Sequence, residues 1–522
     1  MPGGSRRLAN LLPFVRSACV WRTSMRRFPV IPAIIGAAIL GASAPAQSDE
    51  QPSWVIPDEI VIKPALVRYG EDVLTRLAEV LVGEIVLLRN DRVLNTKTYR
   101  LPSIQIGENP NAVWDILDDA VESGELVWSE NNLVVENVGG QTGSLWVSGM
   151  GMANDQFASQ YAHDMLGLDH AHQRSTGRGV LVAVVDTGID GTHEALSSRV
   201  SPAGTNFVAG YPSPDDENSS DPSAINLMRG HGTFVAGLVS LVAPDAGLLP
   251  IRVLDSEGQG STSVAASGIV AAVQKGAHII TLAFGTPNQS QILNEAIQYA
   301  NDSGVIVFAA AGNGGELGCY YPASHPSVVN MAASNHLDEF ELTSNWCDGV
   351  DALAPGSVSM VLGQVDDRRS VIGPVPGEGG ESEYRAGRGT SFSVGFAAGV
   401  AALMRAQHPE WPNAEVGPSD IPITLAALMG AAYHYQVIAL PGDTAVRPRI
   451  SASVATDFGP LAPSPGDLNG DGCVNAADLG LVLAGFGGVP RSPGLHLADL
   501  DGDFVVGAAD LGLLLALWSP CP

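Results

Sequence analysis

The sequence predicts an α/β domain whose parallel sheet is flanked by helices, with a small α+β unit before it and a short all-α module after it. Three observations carry this reading. Between about 150 and 455, fully apolar runs such as "VLVAVVD" and "GVIVFAAAG" alternate with Ala-rich helical stretches, the pattern of parallel strands buried on both faces. Residues 58–136 alternate β-branched and helically spaced apolar segments. Residues 466–522 contain one short acidic segment twice.

A chain of 522 residues accommodates two or more domains. With 45% hydrophobic and 16% charged residues it can bury a sizeable core and is not globally disordered. A formal net charge of −28 argues against nucleic acid or an anionic membrane as partner, because both repel it at long range.

The elements follow in chain order. From Met25, "MRRFPVIPAIIGAAILGASAPAQ" has two arginines, an apolar run and small residues before Gln47, the layout of a secretory signal peptide occupying 1–46 and cleaved after Ala46. Met1 and Met25 are alternative starts. The apolar run is shorter than the roughly 20 residues a bilayer needs, and no later stretch qualifies, so no membrane span is expected after signal cleavage. The expected location is secreted, extracellular or periplasmic, with cell-surface association open. Export places the cysteines in an oxidising compartment. Cys19 leaves with the signal, and Cys319, Cys347, Cys473 and Cys521 allow three pairings, of which proximity favours Cys319 with Cys347 and Cys473 with Cys521.

In the α+β unit, "EIVIKP", "TYRLPSIQI" and "ELVWSENNLVVE" read as strands, and "EDVLTRLAEVLVGEIV" and "NAVWDILDDAVES" as helices. The order is strand, helix, strand, helix, strand. "NVGGQTGSLWVSGMGM" is rich in glycine and serine and predicts an exposed linker. "DFGPLAPSPG" predicts a Pro-containing linker over 456–465.

Three motifs in the α/β region carry chemistry. "VAVVDTGIDGTHEAL" puts Asp186 at the carboxyl end of a buried strand, where open α/β sheets bind their ligands. "RGHGTFVAG" sets His231 between glycines at the start of a small-residue helix, where neighbouring backbone can approach closely. "GRGTSFSVGFAAG" offers two candidate nucleophiles, Ser391 and Ser393.

In the order Asp186, His231, Ser391, these motifs resemble the subtilase family of serine endopeptidases, since other Ser/His/Asp lineages order the trio differently. The resemblance spans about 300 residues. "IITLAFG" is similar to the family's substrate-lining strand, "AAAGNGG" to the segment holding its oxyanion asparagine, and "YYPASHPSVV" and "ALAPG" to further landmarks. It implies Ser391 as nucleophile, His231 as general base, Asp186 as its orienting carboxylate and Asn313 as oxyanion donor, with Ser393 a packing residue. Ala283, Phe284, Gly285, Ala311, Gly312 and Tyr320 then line the substrate site, for which polypeptides are the expected partners; the chemistry itself needs no cofactor.

Three positions depart from the family pattern. Gly395 stands where a proline is usual and implies a looser helix start. Ala195 replaces a calcium-holding aspartate, so that calcium site is not expected. Tyr320 stands where a glycine commonly floors the first side-chain pocket, and implies a shallow pocket for small or medium side chains.

The order of elements in 58–136 resembles subtilase propeptides, a ferredoxin-like pro-domain that chaperones and inhibits its own protease, with self-cleavage between about Glu136 and Asn154. In the tail, "DLNGDGCVNAAD" places oxygen ligands at loop positions one, three, five, nine and twelve: Asp467, Asn469, Asp471, Asn475 and Asp478. Gly472 supplies the turn and the Cys473 carbonyl another ligand, the pattern of a Ca²⁺ loop. "DLDGDFVVGAAD" repeats it with Asp499, Asp501, Asp503 and Asp510, but with Phe504 at the turn and Gly507 at position nine. This weaker second loop completes a module that resembles a dockerin, which implies a cohesin-like or cell-surface partner. Ala476, Ala477, Ala508 and Ala509 stand where many dockerins use hydroxyl residues, which weakens the expectation of a typical cohesin contact. The expected protein is a secreted, zymogenic serine endopeptidase; the competing expectation is a catalytically inactive binding protein of the same fold.

Overall fold

A computed structural model describes residues 54–103, 111–137, 146–211, 213–216, 228–361, 364–377, 381–409, 433–439, 446–457, 474–486 and 506–518. The expected signal peptide, Cys473, Cys521, Asp467, Asn469, Asp471, Asp499, Asp501 and Asp503 lie outside these residues.

The α+β unit consists of β1 (Val55–Pro64), α1 (Val67–Val80), β2 (Val86–Asp91), β3 (Thr96–Arg100), α2 (Ala112–Glu122) and β4 (Leu126–Asn137). It has one strand more than the sequence reading. "VLLRND" of β2 is mostly exposed and lacks the alternation that marks a half-buried strand, so only Val86 falls in a predicted element, the end of the helical reading of 71–86, whereas α1 stops at Val80. The sheet runs β4-β1-β3-β2 with antiparallel neighbours, and the βαββαβ order is ferredoxin-like. One face packs Ile60, Ile62 and Tyr99 against Val73 and Leu77 of α1 and Val113 and Leu117 of α2. Val61 and Val135, from the opposite face, join the core of the following domain.

That domain begins with β5 (Trp146–Met152), α3 (Asn154–Ala158), α4 (Tyr161–Leu166), α5 (Leu168–His172), β6 (Leu181–Asp186) and β7 (Thr205–Asn206). It continues through α6 (His231–Val242), β8 (Gly247–Arg252), β9 (Gln259–Ser261), α7 (Thr262–Gln274), β10 (Ile279–Leu282), β11 (Phe284–Gly285), α8 (Gln291–Asp302) and β12 (Ile306–Ala310). Then come β13 (Val329–Ser334), β14 (Ala352–Pro355), β15 (Ser359–Val361), β16 (Gln364–Asp366), β17 (Ile372–Pro376), β18 (Ser382–Gly387) and α9 (Thr390–Gln407). β19 (Tyr433–Ala439), β20 (Val446–Ile450) and α10 (Ala452–Asp457) close it. The main sheet has the order β19-β20-β14-β13-β12-β10-β6-β8-β7 and is parallel except for β19.

Alternation along β6 explains the two layers. Val182 and Val184 enter a core with α6 and α9, and Ala183 and Val185 enter one with α7 and α8, because successive side chains leave opposite faces of a strand. The linker expectation fails over Trp146–Met152: β5 pairs with β18 in a three-stranded sheet with β17. The Trp-Val pair among the glycines supplies the β-forming residues.

In the tail, α11 (Ala476–Gly485) and α12 (Ala508–Ala516) share a small core of Val474, Val482, Val506 and Leu514. Among the described residues no helix is long and apolar enough to cross a membrane.

Candidate active site

The parallel sheet collects the chemistry at its carboxyl edge. Asp186 ends β6, His231 opens α6, Ser391 lies in the first turn of α9, and Asn313 follows β12. Glycines make the close approaches feasible: a Cβ on Gly232 would stand 2.2 Å from the Gly188 carbonyl oxygen. Asp186, His231 and Ser391 are completely buried.

His231 Nδ1 donates to Asp186 Oδ1 at 2.8 Å, and the same oxygen accepts the Thr187 N–H at 2.7 Å. This fixes the imidazole tautomer and leaves Nε2, which has no hydrogen-bond partner, as the basic nitrogen. Ser391 Oγ donates to the Ala283 carbonyl at 3.2 Å. The Asn313 amide is oriented by its oxygen, which accepts the Thr390 N–H at 2.8 Å and the Thr390 hydroxyl at 3.0 Å. Its Nδ2 is consequently a buried donor without a partner, the state expected of a group held ready for a developing negative charge. Ser393 instead gives its hydroxyl to the Ala354 carbonyl at 3.0 Å.

The end of β4 fills the groove beside these residues. Val134–Glu136 pairs antiparallel with β9, Glu136–Asn137 pairs antiparallel with β11, and the Asn137 N–H donates to Gly258 at 2.9 Å. The Asn137 amide nitrogen lies 3.3 Å from the Ala283 carbonyl and 3.0 Å from His231 Nδ1. Nδ1 can either donate to the Asp186 carboxylate or accept from the Asn137 amide, and the charge-assisted bond to Asp186 is the stronger, so Nδ1 keeps its hydrogen.

The rest of the α+β unit is fastened to two helix starts. Glu130 accepts from Ser290 Oγ at 3.0 Å and from the N–H groups of Gln291 at 2.7 Å and Ile292 at 3.0 Å, capping α8. Asn132 Oδ1 accepts from the Thr262 hydroxyl and the Ser263 N–H, both at 3.1 Å, at the start of α7. Glu295 binds Lys63 at 2.6 Å and the Trp128 indole N–H at 2.8 Å. Burial pushes the Glu130 and Glu136 carboxyls above the usual carboxylate range. None of these contacts is a local motif, and the sequence reading missed them.

The other predicted positions distribute as follows. Phe284 and Gly285 form the strand that pairs with β4, Ala311 accepts the Tyr320 N–H at 2.9 Å, and Gly312 takes a positive φ of 123° against the Asn345 side chain. Tyr320 stands edge-on to Trp54, with ring centroids 6.1 Å apart. Cys319 and Cys347 form the expected disulfide beside it. Gly395 faces α6, where a Cβ would meet the Val235 carbonyl oxygen and Leu238 Cβ at 3.1 Å. Its small size thus serves close helix packing. Ala195 brings no ligand oxygen, and its neighbour Glu194 accepts the Tyr384 hydroxyl at 3.0 Å.

Among the described residues no three His, Cys, Asp or Glu side chains are gathered as a metal site. Asp478 and Asp510 are nevertheless fully buried in the first turns of α11 and α12. Each accepts a backbone N–H through one oxygen, from Asn475 at 2.8 Å and Gly507 at 2.6 Å. Buried carboxylates at matching positions of the duplicated segment fit an oxygen-lined cation site. Asn475 Oδ1 caps α11 through Ala477.

The sheet, its connections and the Asp-His-Ser constellation define the class of protein. The subtilase family model matches residues 177–440, and the chain belongs to this family of serine endopeptidases. Subtilisin BL of Lederbergia lenta is 35% identical over 256 residues, covering 47% of this chain and 84% of that protein. Subtilisin of Bacillus pumilus is 33% identical over 276 residues, covering 50% of this chain and 89% of that protein. M-protease of Shouchella clausii is 36% identical over 256 residues, covering 47% of this chain, which spans only 59% of that relative's length. Fervidolysin from Fervidobacterium pennivorans, a keratinolytic enzyme related to subtilisin, has a similar fold, with a TM-score of 0.57 at 21% identity, covering 79% of this chain and 62% of that one. The α+β unit and the tail lie outside the matched 177–440.

Proposed function

We propose that this chain is a secreted serine endopeptidase, made as a zymogen, that hydrolyses polypeptides through Asp186, His231 and Ser391. The observation that carries the reading is Val134–Asn137, an extended strand paired on both edges that ends at the imidazole. It sits as a peptide substrate would, and the peptide bonds just beyond it are the first candidates for cleavage.

In this reaction the Ser391 hydroxyl leaves the Ala283 carbonyl and attacks a peptide carbonyl carbon while its proton passes to His231 Nε2. Asp186 holds the ring and stabilises the imidazolium. The carbonyl oxygen becomes an oxyanion that receives the Asn313 Nδ2–H and the N–H of Ser391. Collapse of the tetrahedral adduct breaks the C–N bond, the departing amine takes the proton from His231, and water repeats the sequence in reverse to free the acid.

Residues 58–136 are the inhibitor and folding partner of this site, removed by self-cleavage between about Glu136 and Asn154. Tyr320 favours small or medium side chains at the first pocket. In the tail, Asp467, Asn469, Asp471, the Cys473 carbonyl, Asn475 and Asp478 would hold one Ca²⁺, and Asp499, Asp501, Asp503 and Asp510 a second, weaker one. The module would present α11 and α12 to a cohesin-like or cell-surface partner. The test of the enzyme reading is a serine-directed fluorophosphonate. Labelling at Ser391 after loss of the pro-unit is expected, whereas a processed wild-type protein that stays unlabelled is a silent binding protein of this fold.

A further inference from the structure

The first turn of α6, which presents His231, is fastened by two side chains from other segments. Gly230, whose φ of 95° lets the chain turn into the helix, has no side chain with which to cap it. The Gly232 N–H donates to Thr187 Oγ1 at 3.0 Å, and Thr187 is the neighbour of Asp186. The other anchor is Asp216. Its Oδ1 accepts the Gly230 N–H at 3.0 Å, and its Oδ2 accepts the Thr233 N–H at 3.1 Å and the Thr233 hydroxyl at 2.8 Å. Thr233 Oγ1 in turn accepts the Asp190 N–H at 2.9 Å, so one chain of hydrogen bonds ties the segment after Asp186 to the helix carrying His231.

Asp216 is buried, with 3% of its surface exposed. Its loop is pinned by Arg252, completely buried, which donates to the Asp215 carbonyl and lies 3.6 Å from the centre of the Tyr211 ring. A carboxylate that satisfies two orphan helix N–H groups from outside the helix fixes where that helix begins. The His231 ring must meet both Asp186 and Ser391, so the start of α6 sets the alignment of proton transfer.

We infer that Asp216 is a positioning residue of the peptidase reaction: by clamping Gly230 and Thr233 it holds His231 in register with Asp186 and Ser391. The inference rests on the peptidase reading above.

The test measures kcat, KM and the rate of fluorophosphonate labelling on the processed full chain, counting only labelling-competent protein. Displacement of a reacting group by about 1 Å lowers rates by up to about a hundredfold. Asp216→Ala is expected to lower kcat by about tenfold or more and slow labelling in parallel, with KM within about twofold. Asp216→Asn, which keeps one acceptor oxygen, should recover part of the loss, and Asp215→Ala should match wild type. Thr233→Val removes only the hydroxyl link and should give a smaller loss of the same kind, which keeps the inference testable if Asp216→Ala does not fold. Wild-type kcat and labelling in a folded Asp216→Ala or Thr233→Val protein, or a loss confined to KM, overturns it. Inactive wild type would instead sink the peptidase reading.

Discussion

Glu130 is the most quantitative test of how the α+β unit is held. Replacing it with alanine removes three hydrogen bonds, two of them from the otherwise uncapped N–H groups of Gln291 and Ile292. Bonds to a charged acceptor contribute about 1.5–3 kcal/mol each, and a carboxylate at a helix N-terminus adds about 0.3–1 kcal/mol. Burial of the carboxylate opposes these gains, and the freed N–H groups regain water. A net loss of about 2–3 kcal/mol in docking follows, roughly 30- to 150-fold in the docking equilibrium. Hydrogen exchange in an Ser391→Ala background, where self-cleavage cannot intervene, reads this directly. Gln291 and Ile292 amides should exchange faster by about that factor in Glu130→Ala, together with amides of β4. Unchanged exchange at Gln291 and Ile292 would show that Glu130 does not hold the unit down.

Asn313→Ala should reduce kcat by about 10²- to 10³-fold with little change in KM, because Nδ2 has no hydrogen-bond partner in the resting site and under the proposed mechanism donates only to the oxyanion; steady-state kinetics on a peptide ester checks it. Gly399→Ala should destabilise more than Gly395→Ala in thermal unfolding. Its Cβ would stand 2.6 Å from Val242 Cβ, against 3.1 Å for the nearest atoms at Gly395, and overpacking costs about 1–3 kcal/mol. Docking raises the Glu130 and Glu136 carboxyls above their ordinary values, so docking takes up protons. It tightens as pH falls toward the ordinary carboxylate range, near about 4.3, and loosens as pH rises through the docked values. The lag before activity appears should therefore shorten as pH rises, and Glu136→Gln should flatten that dependence.

The candidate site residues were legible because each sits in a local constraint. Asp186 must end a buried strand, His231 needs glycine neighbours for backbone approach, and Asn313 and Ser391 follow tight glycine turns. What escaped the sequence lies between distant segments. Asp216 caps α6 from a separate loop, and Glu130 and Asn132 cap helices of the following domain, so no spacing along the chain announces them. β2 escaped because its residues are mostly exposed and do not alternate, and β5 because glycines hide the two residues that favour a strand. Gly395 reads from sequence as a lost proline, and its packing reason emerges only when α6 lies against it.

The central claim, that the chain is an endopeptidase whose first substrate is its own pro-unit, is tested most directly by the intact mass and N-terminal sequence of wild type and Ser391→Ala expressed in parallel. The expected result is that wild type begins between Asn137 and Asn154 and that Ser391→Ala retains residues 58–136. Identical processing of the two proteins, or a wild type that keeps the pro-unit, would contradict it.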